Sequence, residues 1–174
     1  MKRKMIVLAL VAALGLTVAA PANAEKQQQP LSGDMELTLF QEWCGVPLES
    51  RFLTWAGTVA LDDATYGIAY FPTSPPPDPE EKFFYFEEYW TIFTLDGPVT
   101  PAIACDAGRV VLDGLDEGRQ GPGGTAKADG TVTSVVSPGP LDGVAEDSRV
   151  FWRGRVTNEA GDEFAAKFHI RRPN

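Results

Sequence analysis

The sequence is short of the residues on which most catalytic sites are built. Its 174 residues include one histidine, His169, and two cysteines, Cys44 and Cys105, too few for the usual His/Cys zinc site. It has no Gly-x-Ser-x-Gly elbow, no His-Glu-x-x-His pair and no glycine fingerprint opening a helical pattern. The familiar hydrolases, zinc peptidases and dinucleotide-dependent oxidoreductases are thereby excluded. No metal and no cofactor are expected. The acidic Asp113–Gly118 segment lacks the alternating acids and closing Glu of a calcium loop. The glycines of Arg119–Gly124 lack the Lys-Ser/Thr of a phosphate loop.

Positive charge is scarce as well, with 15 Lys and Arg against 24 Asp and Glu for a net charge of −9. Lys2, Arg3 and Lys4 precede an apolar run from Met5 to Ala20 and then Pro21-Ala22-Asn23-Ala24. A basic start, a short hydrophobic stretch and a small-x-small end describe a general-route secretory signal peptide cleaved after Ala24. The run is shorter than the roughly 20 residues that span a bilayer. Cleavage would remove three cations and take the net charge from −9 to −12. A chain so acidic repels phosphate backbones, and no basic cluster invites anionic lipid. Nucleic acid and stable membrane insertion are therefore not expected, and the destination is the medium or the periplasm.

The remaining 150 residues make one ordinary domain. An even cysteine count in an exported chain favours a Cys44–Cys105 disulfide over two free thiols. It would close a loop of about sixty residues, nominally worth about 4 kcal/mol.

The most distinctive stretch is Phe83–Thr94, in which seven of twelve residues are aromatic and the only charges are Glu87 and Glu88. Aromatic and β-branched residues without Gly or Pro predict a strand. At about 3.3 Å per residue it spans roughly 40 Å, a length that bends readily into a barrel wall. Alternation puts Tyr85, Glu87 and Tyr89 on one face and Phe86, Glu88 and Trp90 on the other. One carboxyl must therefore point inward among aromatic rings, where burial raises its pKa and makes it a potential general acid. Glu88, beside Trp90, is the preferred inward residue. A structural acid, paired with an arginine such as Arg153 or hydrogen-bonded to a tyrosine, is the alternative.

Around this strand, Glu25–Asp34 reads as a flexible leader. Glu36–Trp43, Arg51–Leu61 and Thr65–Phe71 read as strands, with Gly57 marking a close approach. Pro72–Pro79 reads as a surface loop, because proline cannot join a ladder. Arg109–Leu112 reads as a short strand ended by Asp113-Gly114, and residues 113–124 as a mobile acidic, glycine-rich loop. Asp129-Gly130 reads as a tight turn between Thr125–Lys127 and Thr131–Val136. Arg149–Thr157 and Glu163–Arg171 alternate cleanly; Val150, Trp152, Phe164 and Phe168 lie on the apolar side, and Arg149, Arg153, Arg155 and His169 on the polar side. About eight strands and no convincing helix predict an all-β domain over residues 35–174. It is a single antiparallel barrel, with a β-sandwich as the alternative.

The stretches Trp55-Ala-Gly-Thr-Val, the aromatic strand with Glu87 and Glu88, and Trp152-Arg-Gly-Arg-Val through Phe164–Ile170 resemble small barrels of the allene oxide cyclase and dirigent group, of calycin type. The resemblance implies an apolar cavity, frequent oligomers and cofactor-free cyclisation or coupling of hydrophobic substrates. The candidate ligand-binding residues are Trp55, Tyr85, Phe86, Tyr89, Trp90, Trp152 and Phe168, with Glu88 and Glu87 as candidate acids. The leading expectation is a binder of a small hydrophobic molecule. A cyclase or isomerase using the inward Glu, and an interaction module with a filled core, are the alternatives. Two apolar faces on one strand also point to a homo-oligomer, unless the Pro72–Pro79 loop covers the outer one.

Overall fold

The computed structural model describes residues 30–48, 53–73, 83–100, 102–136, 141 and 143–173. The expected signal peptide and its cleavage site lie outside the described residues, as does most of Pro72–Pro79. The strands are β1 (Leu31–Phe40), β2 (Glu42–Trp43), β3 (Val46–Pro47), β4 (Thr54–Leu61), β5 (Ala64–Pro72) and β6 (Phe84–Phe93), followed by β7 (Val110–Gln120), β8 (Thr125–Val135), β9 (Arg149–Val156) and β10 (Glu163–Arg171). Strands β4 to β10 form an antiparallel meander, and β1 closes it by pairing with both β10 and β4. This is the closed eight-strand barrel that the strand count predicts. An interior of this size is just wide enough to be filled by side chains or to hold one small ligand.

The register fixes the inside. Trp55 opposes Tyr70, Tyr70 opposes Trp90, and Trp90 opposes Gly114 around the wall. On β6 the lumen receives Phe84, Phe86, Glu88, Trp90 and Ile92, while Tyr85, Glu87 and Tyr89 face outward. Toward one end the lumen is solid. Trp90, Ile92, Leu112, Phe168 and Ile170 are fully buried there, and Trp90 meets Phe168 edge-on at 6.1 Å. Each such side chain contributes roughly 1.5–3 kcal/mol through burial.

Two segments read as loops are strands. Residues 113–120 of the acidic, glycine-rich stretch lie within β7, its last four residues forming the connection to β8, and Asp129-Gly130 lies in the middle of β8 rather than at a turn. The glycines make room inside the lumen. A Cβ on Gly114 would come 2.0 Å from the Trp90 indole, and one on Gly118 would come 2.3 Å from the Phe86 ring. Turn-forming residues are here spacers opposite large rings. The leader is also shorter than expected: β1 begins at Leu31, which is buried and paired with Ile170. The expected first strand ends sooner, at Phe40, and β2 and β3 make a small separate hairpin.

That hairpin has a use. Cys44, at its turn, is bonded to Cys105 on a three-residue 3-10 turn, Ile103–Cys105. The bond holds Trp43, Leu95, Val99 and Ile103 over Ala56, Ala69 and Phe93, forming a second apolar cluster on the outside of β4–β6. Trp43 also stacks obliquely on Phe71 at 5.1 Å. The outer apolar side chains of β5 and of the far end of β6 are thus covered by the chain's own disulfide-held segment.

Candidate functional site

The other half of the lumen is not filled. A cavity of ≈ 70 Å³ lies among Trp55, Tyr70, Phe86, Glu88, Trp152 and Phe164, with Phe84, Gln120 and Val156 at its rim. The rim residues are partly exposed, while Tyr70 and Trp152 are buried and form the floor. Phe86 stacks on Trp152 with centroids 5.9 Å apart at 12°, and Tyr70 and Phe164 meet the same indole edge-on. The barrel wall therefore fixes the rings on several strands at once. Such a space admits several waters or one compact organic group, since one water needs only about 10–15 Å³. It is well below the roughly 300–1,000 Å³ of a typical drug-sized pocket. A larger hollow of ≈ 630 Å³ lies around Thr38, Thr58, Thr157 and Glu163, but it contains no buried titratable group.

Sequence reasoning missed the residue that most changes the chemistry. Glu88 is inward, and directly across on β7 stands Asp116, 2% exposed and also inward. Directly opposed residues place their Cβ atoms about 4.5–5.5 Å apart. Asp116 Oδ2 accepts a hydrogen bond from Trp152 Nε1 at 2.8 Å, while its Oδ1 is buried with no partner among the described residues. Trp90 Nε1 is likewise buried and unpartnered. No described Lys or Arg lines the cavity. The expected alternative of an arginine partner is not met, because Arg153 points outward and is exposed.

Two directly opposed carboxyls in the barrel interior, one of them fully buried, cannot both be charged cheaply. Desolvation first, and then the Asp116 charge, push the Glu88 pKa well above the usual carboxylate range. Asp116 is pushed up to about 7, mainly by desolvation; the Trp152 hydrogen bond opposes the shift and the charge of Asp129 on β8 adds to it. Tyr70 on β5, donating to Met35 Sδ, is also held well above its ordinary value, by burial and then by the two acids. The pair therefore retains a proton at neutral pH. It can donate a hydrogen bond or a proton into the cavity, or accept a cation from it.

The remaining expected site residues divide by face. Trp55, Phe86 and Trp152 line the cavity with Glu88. Trp90 and Phe168 face the lumen but belong to its solid half. Tyr85, Tyr89 and Glu87 are outside it because they occupy the alternate positions of β6. Tyr85 is 69% exposed, and Tyr89 bonds Asp113 across the outer face. His169 is outside as well, stacked on Phe151 at 4.5 Å and bonded to Ser32. Arg149, Arg153 and Arg155 are exposed. Arg153 falls in register with Lys127 and Arg119 on one side and with Lys167, which pairs with Asp34, on the other. Among the described residues no group of three or more His, Cys, Asp or Glu could hold a metal ion.

Asp116 was obscured because Asp113–Gly118 resembles a turn region. The signal was present in the alternation of Leu112, Gly114, Asp116, Gly118 and Gln120 against Asp113, Leu115, Glu117 and Arg119. Comparison with protein-family models, with curated proteins and with solved structures returns no match. The chemistry therefore rests on this geometry alone.

Proposed function

We propose that the protein binds a small, compact, largely apolar molecule in the open half of its barrel. The observation that carries this reading is the cavity itself: aromatic side chains from five strands surround one inward carboxyl, Glu88, at a partly exposed rim. Pockets of this kind take orientation from a few polar groups and affinity from apolar contact. Ala126, on the cavity wall, is small and buried, so Ala126→Phe fills the space. Isothermal titration of the purified protein with indole is the test. Saturable binding that weakens about 10-fold or more in the filled variant supports the reading. Equal binding by both proteins refutes it.

A second reading has its own observation. Glu88 faces the cavity with no cationic partner and keeps its proton, as a general acid for a cofactor-free isomerisation or cyclisation would. An antiparallel barrel with an apolar cavity and cofactor-free cyclisation is what the resemblance to the allene oxide cyclase and dirigent group implies; the acid role rests on Glu88 alone. Glu88→Gln keeps the shape and removes the proton. Loss of turnover with retained binding of a substrate marks the enzyme, whereas an unaltered rate removes Glu88 from the mechanism.

The same proposal places the mature protein outside the cytoplasm, after cleavage behind Ala24. The Cys44–Cys105 bond fits an oxidising compartment, and no helix among the described residues is long and apolar enough to cross a membrane. N-terminal sequencing of the exported protein tests it, and a mature chain beginning anywhere but Glu25 would contradict the cleavage site.

A further inference from the structure

The lumen contains two carboxyl groups and no group to balance them. Glu88 opens onto the cavity, and Asp116 stands directly behind it with Oδ1 unpartnered and the residue 2% exposed. The charged or titratable groups facing this pair from the neighbouring strands are Tyr70 on β5 and Asp129 on the outer face of β8. Trp152 on β9 contributes only a neutral N–H. Among the described residues no Lys or Arg lines the cavity. Three aromatic rings, Phe86, Trp152 and Tyr70, line the cavity at the same spot. Aromatic faces attract a cation within about 6 Å of the ring centroid, by about 2 kcal/mol or more once water is excluded.

We propose that the ligand is a small organic cation: one ammonium group on a compact apolar body, held against Glu88 with Asp116 behind it and the aromatic rings around it. This deepens the binding reading above and rests on it. The apolar body occupies the ≈ 70 Å³ space between Trp55, Phe84 and Phe164. The ammonium supplies, at Glu88, the positive charge that the acid pair lacks. A fatty chain or a large ring system does not fit such a space. An anion is repelled.

Binding of a cation to a proton-holding pair expels the proton, so uptake is linked to proton release. An alkylammonium keeps its own proton to about pH 10, and its affinity therefore rises as the pair ionises near neutrality. A neutral molecule of the same shape shows no such rise.

The test is isothermal titration of the purified protein with benzylamine and with benzyl alcohol, its neutral counterpart, at about pH 5.5 and about pH 8, in two buffers of different ionisation enthalpy. The expected result is a preference for benzylamine of about 10-fold or more at the higher pH, shrinking to about 3-fold or less at the lower. Release of protons on binding should accompany it. Glu88→Gln and Asp116→Asn should each erase the preference while benzyl alcohol still binds, which also shows that the variants are folded. If benzyl alcohol binds as tightly as benzylamine at both pH values, the cation inference is overturned and the binding reading survives. If neither binds while the protein is folded, both fall.

Discussion

Replacing Asp116 by Asn should make the protein more stable at alkaline pH, the reverse of what removing a functional charge usually does. In the unfolded chain an aspartate titrates at its ordinary 3.8, whereas in the barrel Asp116 titrates at about 7. A raised acid binds its proton more tightly in the folded state. Stability is therefore greatest below the unfolded value, falls as pH rises between 3.8 and about 7, and is fully lost to this group above that. The ratio of the two proton affinities corresponds to about 4 kcal/mol at most. Coupling to Glu88 divides this amount between the two acids. Asn cannot ionise, yet its amide oxygen still accepts the hydrogen bond that Trp152 Nε1 gives Asp116 at 2.8 Å. Urea unfolding followed by tryptophan fluorescence, at unit steps from about pH 5 to pH 8, measures the effect. Between pH 5 and pH 8 the variant should gain on the natural protein by about 2–3 kcal/mol at most, the part of the loss that falls below pH 5 being already spent. Parallel pH profiles for the two proteins would refute the proton-sharing pair.

Further outcomes follow from the register and the packing. Gly114→Ala drives a methyl into the Trp90 indole, 2.0 Å from its nearest atom, and should cost about 1–3 kcal/mol in a urea melt. Phe168→Ala, in the solid half of the lumen, should cost about 3–5 kcal/mol. Tyr85→Ala on the outer wall should stay within about 0.5 kcal/mol, although both aromatics belong to the same sequence-level set. Removing the Cys44–Cys105 bond, which links positions 61 apart, should cost about 4 kcal/mol if the reduced chain behaves as an open loop. It should also release the Trp43 hairpin, read as faster amide exchange over residues 42–47.

The sequence made some of this visible and hid other parts for identifiable reasons. The last two strands were legible because a half-buried sheet imposes strict alternation: Phe164, Ala166, Phe168 and Ile170 all turn inward. The long aromatic strand was legible for its composition, and its inward acid followed from period two. Strands β7 and β8 were hidden because Gly and Asp signal turns when read locally. In a narrow barrel the same residues serve a non-local need, since Gly114 and Gly118 are small where Trp90 and Phe86 are large. The acid pair could not be read at all. It requires knowing that Glu88 and Asp116, 28 positions apart, are neighbours across two strands. Coverage of the outer wall was hidden in the same way, because it depends on a disulfide that folds a two-strand hairpin over β4–β6.

The most direct measurement is a crystal structure of the protein soaked with indole at about pH 7. The account predicts an indole in the open half of the lumen, in contact with Trp55, Phe86 and Trp152 and with its N–H directed to Glu88. A ligand found only in the outer hollow near Thr38 and Thr58, or an unoccupied lumen at saturating indole, would contradict it.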